Sequence, residues 1–482
     1  MNSVKDGIFI FSEIKKKFNF WNFFYKKKEN FFIKKVVIDS REIKKGDLFI
    51  AIKGENNDGH NYIEQAIING AKCIICEKQK LNIKLINKYS DICFIFVEDT
   101  IIALHDLAKY KREILKNTKI IGITGNVGKT TTREMLKVAI GQFLNTYAAR
   151  NNYNNYIGLP LTIINTPMDA ECLILELGMN HIGEIDILTK IALPDIAIIT
   201  NICPAHICNF NNINEIVMAK AEIFNGMNEN CVVILDKSGD FFNIFVNLAK
   251  SKGIHNIITV SMNDKKANIY LKKYTFLNNF TIKYVISANG NDISCKINGI
   301  IKHNILNSLF LFATACVFGF DLKKISNKLS NFQIVPGRGN FEIKKINNKV
   351  VTFINDCYNS SPEALKSSII TLSKIGEILP NSRIIAVIGD MLELGEFSKK
   401  YHADIAEVIL KSNIKNIICI GDESRTIFDK LPNDFNKYHF SKTEDFIDEI
   451  MKFIKDKDVI LLKASRGMHF DKILDKINSY ID

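Results

Sequence analysis

The chain has 482 residues, 47% of them hydrophobic and 24% charged, which is ample for buried cores and excludes wholesale disorder. At roughly 100–200 residues per domain, two to four domains are expected. A net charge of +12 admits nucleic acid, anionic lipid or phosphorylated small molecules as partners. The surplus is nearly all Lys, in a chain also loaded with Ile, Asn and Phe, so it reads as compositional drift rather than a nucleic-acid stripe.

The first stretch, to about Phe32, is rich in Lys and aromatics (FNFWNFFYKKKENFF). It admits a membrane-surface segment or an element packing its aromatics on the first domain, and the second is the expectation. It has too short an apolar run and no small-residue cleavage site for a signal peptide. The runs KKVVIDSRE, GDLFIAI, AKCIICE and ICFIFVED predict short strands, with a helical pattern at Tyr62–Gly70. The 11 Cys, an odd number scattered through apolar runs, point to reduced thiols in a cytoplasmic protein. Cys73 and Cys76 form one CxxC without a second pair nearby, on what reads as a buried strand, so zinc is not expected. Residues 1–99 are assigned to a small α/β domain.

An amphipathic helix, IIALHDLAKYKREIL, leads into the strand KIIGIT, a Gly-rich turn and a helix from Thr130. Strands follow at CLILEL, IAIITNI and CVVILD; their alternation with helices predicts a mostly parallel sheet covered on both faces. Stricter alternation with an Asn-Gly at 289–290 predicts an antiparallel hairpin on that sheet. The helical run HNILNSLFLFATACVFGF closes this second unit, residues 100–332. Its apolar stretch Leu309–Phe320 falls short of the roughly 20 residues that span a bilayer, so membrane insertion is not expected. A third unit, 333–482, begins at a Pro-Gly linker and carries strands VVTFIND, RIIAVIGD, NIICIGD and VILLKAS. The fold expected is α/β throughout: a small N-terminal domain, a central phosphate-loop ATPase-like domain and a C-terminal Rossmann-like domain, with sites beyond the carboxyl ends of the strands.

The strongest local signal is Thr124-Gly125-Asn126-Val127-Gly128-Lys129-Thr130-Thr131 between a strand and a helix. Glycines let backbone N–H groups turn toward phosphate oxygens, and the helix N-terminus adds positive dipole. Lys129 can pair with the β- and γ-phosphates and the Thr130 hydroxyl can hold Mg²⁺. Ile123 stands where the full motif has its first Gly, so ATP binding is weighed against a structural turn. Glu176, ending an apolar strand, suits Mg²⁺ if it faces that loop; alone it would be a solvated strand end. His206 and Lys220 follow; a lone His is more often a satisfied structural residue.

TGNVGKTT resembles the phosphate loop of the Mur ligases, ATP-dependent amide-forming enzymes of peptidoglycan precursor synthesis, and other stretches fit in order from about residue 36 to 470. ELGMNHIGEI, with Asn180 and His181, is similar to the family branch that adds a dipeptide, as is GDMLELGEFSKKYH. RNNYNNYIGLP, with Asn154 and Asn155, resembles the loop given to the peptide-carrying substrate, although such amides could merely cap turns. IKHNILN, with Asn304, resembles the helix start near adenine. Val335-Pro336-Gly337-Arg338 and Asp356-Cys357-Tyr358-Asn359 resemble the motifs whose Arg reaches the nucleotide phosphates and whose Asp holds ribose. LKASRG, with Lys463 and Arg466, resembles a substrate-binding Lys-Gly-Ser-Arg. IDSRE, with Ser40 and Arg41, and IKGENNDGH resemble the domain that holds uridine diphosphate.

The resemblance implies a monomeric cytoplasmic ligase. Its substrates would be ATP, UDP-N-acetylmuramoyl-tripeptide and D-alanyl-D-alanine, and its intermediate an acyl phosphate. It also implies two Mg²⁺ on Thr130, Glu176, His206 and a Lys220 that can be carbamoylated. Lys129, Glu176, His206 and Lys220 are the catalytic candidates, and Gly125–Thr131, Asn304, Arg338 and Asp356 the ATP-binding ones. Departures stand at Asn151, Cys208, Ser361 and Ala464. The rivals are another amide ligase of the superfamily and a phosphate-loop ATPase acting on nucleic acid. The absence of an Asp-Asn-Pro-Arg motif speaks against the ligase adding the third residue. DNA- or RNA-stimulated hydrolysis would mark the ATPase.

Overall fold

The computed structural model describes residues 7–27, 29–80, 83–150, 152–203, 207–277, 280–299 and 301–481. Three α/β layers follow one another along the chain. In the first, Val36–Val37, Leu48–Ile50, Cys73–Glu77 and Cys93–Val97 lie parallel, and Asn22–Phe24 adds antiparallel to the last. Cys73 and Cys76 are both buried in one of these strands. Phe9–Ile10 and Phe32–Ile33 pair as a separate ribbon.

Most aromatics of the N-terminal stretch pack inward, on the first domain and beyond it, although Phe20 stays exposed. Phe18 stacks on Trp21 at 4.1 Å between centroids, and Phe9 stacks on Tyr110 at 5.8 Å. Tyr110 belongs to the helix Thr100–Ile114, so the first and second units share one apolar cluster with Leu104, Leu107 and Ala108.

The central layer is a nine-stranded sheet. Lys119–Thr124 sits between Cys172–Glu176 and Ile196–Ile199, parallel to both. It is followed outward by Val232–Asp236 and Asn256–Ser261, with Thr146–Ala148 at the opposite edge. The strands are nearly continuous Ile, Leu and Val because helices cover both faces. Ile269–Leu277, Thr281–Ala288 and Asn291–Asn298 extend the sheet as an antiparallel meander. Its second turn places Asn289 and Gly290 at φ 49° and 80°, the paired left-handed conformations that Asn-Gly favours.

The last layer orders its six strands as Asn340–Ile346, Lys349–Asn355, Val459–Lys463, Ile384–Gly389, Asn416–Ile420, Asn436–Phe440. All are parallel except the first, which forms a hairpin with the second. Val459–Lys463 is therefore a late strand inserted between two earlier ones. Asp356, Asp390 and Ser465 all lie just beyond carboxyl ends at this switch point, where open α/β sheets bind ligands. Among the described residues no helix is long and apolar enough to cross a membrane.

Candidate active site

The phosphate loop joins Lys119–Thr124 to the helix Lys129–Ile140. Gly125 and Gly128 take φ 132° and 93°, which residues with a Cβ avoid. A Cβ on Gly128 would also lie 2.6 Å from Asn307 Oδ1. The loop is shaped from outside by the next strand's exit. Asn126 N–H donates to Asn201 O (3.0 Å), Val127 N–H to Asn201 Oδ1 (2.8 Å), and Thr200 Oγ1 to Val127 O (2.7 Å). Lys129 Nζ donates to Gly125 O (2.6 Å) and Asn126 O (3.2 Å), and burial lowers its pKa.

Glu176 pairs in register with Ile123, which brings its carboxylate beside the loop. It is 1% exposed; Oε2 accepts from Thr130 Oγ1 (3.2 Å) and Oε1 lies 2.9 Å from Arg133 Nη1. Oε1 has no well-aligned hydrogen bond despite that ion pair. Lys220, on the helix Ile213–Ala221, is 2% exposed and has no hydrogen-bond or ion-pair partner among the described residues. Burial, and then the charge of Lys129, push its pKa well below the ordinary range. His206 lies outside the described residues, as does Asn151.

A cleft of about 420 Å³ unites these groups with the third unit. Its walls include every residue from Gly125 to Thr131, with Asn154, Glu176, Asn180, Lys220, Asn304, Arg338, Asp356, Lys463 and Arg466. The linker glycine, Gly337, takes φ 77° and its carbonyl accepts from Tyr358 N (2.9 Å). The Arg338 guanidinium consequently lies 4.2 Å from the centroid of the Tyr358 ring, and that of Arg466 lies 5.5 Å from it. Asp356 accepts from Ser368 Oγ (2.7 Å) and pairs with buried Lys463 (3.0 Å). Lys463 also donates to the Asp356 and Asn359 carbonyls, so it braces the Asp356 loop. Ser361 accepts from Ala364 N (3.4 Å) as N-cap of the helix Pro362–Ile378.

Four candidates stand elsewhere. Asn155 Oδ1 accepts from Ile157 N and Gly158 N in the turn that leads into the helix Gly158–Ile164, and the residue does not line the cleft. His181 is exposed in the loop after Glu176 and is not among the lining residues. Ser40 is buried, and Arg41, 86% exposed along its side chain, folds back on Asp39 at 2.6 Å because a carboxylate two residues away is its nearest counter-charge. Asp39 instead lines a second cleft of about 140 Å³ with Lys35, Tyr147, Arg150 and Tyr153. Asn201, Asn307, Arg133 and Tyr358 are the site residues that pattern reasoning left without a role.

No group of three His, Cys, Asp or Glu that could hold a metal occurs among the described residues. Mg²⁺ shared with phosphates needs only one or two protein oxygens, and Thr130 Oγ1 with the partly satisfied Glu176 carboxylate supplies a fitting hard-oxygen set.

A strand, glycine loop and helix facing a second α/β layer across one cleft define a phosphate-loop enzyme whose site is completed by a further domain. The chain belongs to the Mur ligase family. Profiles described as Mur ligase family, catalytic domain, Mur ligase middle domain, and Mur ligase, glutamate ligase domain match residues 32–112, 123–315 and 339–466. The UDP-N-acetylmuramoyl-tripeptide–D-alanyl-D-alanine ligase of Rickettsia prowazekii is 36% identical over 440 residues, 91% of this chain and 94% of its own. That of Bacillus subtilis is 32% identical over 91% and 92%. Crystal structure I of MurF from Acinetobacter baumannii superposes with a TM-score of 0.84 at 26% identity, over 97% of this chain and 98% of that one. MurF ligase from Thermotoga maritima in complex with ADP gives 0.76 at 28%, over 92% and 97%.

Proposed function

We propose that this chain is the ATP-dependent ligase that joins D-alanyl-D-alanine to UDP-N-acetylmuramoyl-tripeptide, the last cytoplasmic step in building the peptidoglycan precursor peptide. The single cleft that gathers Lys129, Glu176 and Lys220 from one domain and Arg338, Asp356 and Arg466 from another carries this reading. It holds both the phosphate machinery and room for an acceptor.

The peptide's terminal carboxylate attacks the γ-phosphorus of ATP, ADP leaves, and an acyl phosphate forms. The dipeptide ammonium first gives up one proton; its amine then attacks the acyl carbon, the C–O bond to phosphate breaks, and the second nitrogen proton leaves on the departing phosphate. Two anions must approach each other in the first step, and preorganised cations are what lower that barrier. Lys129 swings from its loop carbonyls to the β- and γ-phosphates, and Arg338, held against Tyr358, meets the phosphates from the far wall. Asp356, braced by Lys463, takes the ribose, and buried Asn304 the adenine. Thr130, Glu176, His206 and carbamoylated Lys220 would hold two Mg²⁺, which screen the phosphates and the carboxylate.

The segment 147–154 supports the location of the second substrate. Tyr147, Arg150 and Tyr153 face the small cleft beside Asp39, while Asn152 and Asn154 face the large one. A nucleotide-linked peptide lying along it would place its uridine diphosphate in the first and its carboxylate in the second. The chain acts as a monomer in this scheme, since one copy supplies both clefts.

Phosphate release is the test, measured with ATP, Mg²⁺ and UDP-N-acetylmuramoyl-tripeptide, with and without D-alanyl-D-alanine. Dipeptide-dependent release with a matching mass gain on the nucleotide substrate is expected. Release indifferent to both substrates would overturn the reading.

A further inference from the structure

The first sheet ends on Val36–Val37, an edge strand whose inner side pairs with Leu48–Ile50. On that side Lys35 O accepts from Leu48 N (2.9 Å), so the N–H and C=O of Val36 face outward, away from the sheet. One side chain of the central domain meets them. Asn165 Oδ1 accepts from Val36 N (2.9 Å) and its Nδ2 donates to Val36 O (2.9 Å), so the carboxamide pairs with the edge as a further strand would. Nδ2 also donates to Leu161 O (2.9 Å), in the last turn of the helix Gly158–Ile164. Both amide hydrogens and the oxygen are thus engaged, and their directions fix the side chain between helix and strand.

This bridge crosses between two units at a cleft. Val36 and Asn165 both line the smaller cavity, of about 140 Å³, whose walls come from both sides. Lys35, Asp39 and Glu42 belong to the first unit, and Tyr147, Arg150 and Tyr153 to the second. The second unit also lines the large cleft, through Asn152, Asn154 and the phosphate loop. The two clefts therefore keep a constant spacing only as far as the first unit is held in register on the second. The apolar contacts that the units share, such as Phe9 against Tyr110, are non-directional and tolerate sliding. Hydrogen bonds to both polar groups of one edge residue do not, because a shift of about 1 Å takes them beyond bonding distance.

We propose that Asn165 is a positioning residue, which holds the first unit's wall of the small cleft at the reach that a nucleotide-linked peptide spanning both clefts requires. This rests on the ligation reading above. The test is steady-state kinetics of Asn165→Ala and Asn165→Asp, each substrate varied in turn. The first removes the bridge; the second keeps the acceptor for Val36 N and sets a carboxylate oxygen against two carbonyls. The KM for UDP-N-acetylmuramoyl-tripeptide should rise about tenfold in both, the scale of one or two lost hydrogen bonds. The KM values for ATP and D-alanyl-D-alanine should stay within about twofold and kcat within about threefold, since the spacing between the clefts enters the binding of the spanning substrate alone. Mg²⁺–ADP binding, read by calorimetry, should match the parent in both variants. An unchanged KM for the nucleotide-linked peptide in either variant overturns the assignment. So does a rise shared with ATP, or a loss of Mg²⁺–ADP binding, which would make Asn165 a folding residue. Each of these leaves ligation standing. A parent enzyme without dipeptide-dependent phosphate release overturns the ligation reading itself.

Discussion

Glu176 and Arg133 form an ion pair under the phosphate loop, 2.9 Å apart, with side chains only 1% and 5% exposed. Two charges withdrawn from water in this way hold each other in place; Arg133 also pairs with Glu134 (2.7 Å), but removing Arg133 strips the buried Glu176 carboxylate of its ion pair. Arg133→Met should lower stability by about 3–5 kcal/mol, the usual cost of an orphaned buried charge. Adding Glu176→Gln should recover most of that loss, and Mg²⁺ with nucleotide should narrow it in the single variant. Thermal melts of the two variants, with and without Mg²⁺–ADP, measure each part. A single variant as stable as the parent would mean that the pair carries no such burden.

Among the described residues Lys129 hydrogen-bonds only to carbonyls of its own loop, so its truncation leaves the core intact. Lys129→Ala should melt close to the parent yet lose phosphate release by at least about a hundredfold, the scale for one preorganised charge at a transferring phosphoryl group. Residual turnover within tenfold of the parent would remove Lys129 from the phosphate role.

Lys220 has the opposite character, a buried amine with no partner among the described residues. Its depressed pKa raises the neutral fraction at any given pH, and only the neutral amine adds to CO₂ to form a carbamate. Protein equilibrated with ¹³C-bicarbonate should show a carbamate carbon signal that Lys220→Arg lacks, and that variant should also lose ligation. A parent spectrum without the signal would leave the lysine unmodified.

What the sequence displays is periodicity and glycine placement, and these carried the strand–loop–helix at residues 119–140, the position of Glu176 and the hairpin at Asn289–Gly290. Polar residues that act through three-dimensional neighbours leave no such trace. Asn201 shapes the phosphate loop from 75 residues downstream of Asn126, yet in an Asn-rich chain another amide after a strand is unremarkable in pattern. Tyr358 sits within a recognisable motif, but its place between Arg338 and Arg466 exists only once the linker and the strand end at Lys463 converge. Asn155 and His181 shared motifs with Asn154 and Asn180, and the turn geometry sends them elsewhere. Edge strands such as Asn340–Ile346 and Asn436–Phe440 escaped because half their positions are polar, as solvated edges should be.

The Arg338–Tyr358 contact places the guanidinium before nucleotide binds, so its loss should be felt as affinity. Tyr358→Ala should raise the KM for ATP roughly tenfold, within the range of a desolvated cation–π contact, whereas Tyr358→Phe keeps the ring and should stay near the parent. Equal effects from both substitutions would shift the role to the hydroxyl, which accepts from Arg466 Nη1 at 3.3 Å.

Lys111 offers a stability test remote from the cleft. It is fully buried in the helix Thr100–Ile114, where Nζ donates to Ile8 O (3.2 Å) and Met168 Sδ (3.1 Å) and lies 5.3 Å from the Phe9 ring centroid. Burial without a carboxylate lowers its pKa from 10.5 to about 8. The unfolded chain therefore binds this proton more tightly, and folding carries the full cost below about pH 8; the cost fades as pH rises toward 10.5. At about 1.4 kcal/mol per unit, that cost is about 3 kcal/mol at neutral pH, offset in part by two hydrogen bonds of about 1 kcal/mol each. Lys111→Met fills the same space without the charge. Its stability relative to the parent should be greatest near pH 7 and should decline by pH 10, as read from denaturant midpoints at the two values. A difference that does not change with pH would mean that the ammonium is solvated in the folded chain and that the N-terminal segment opens there.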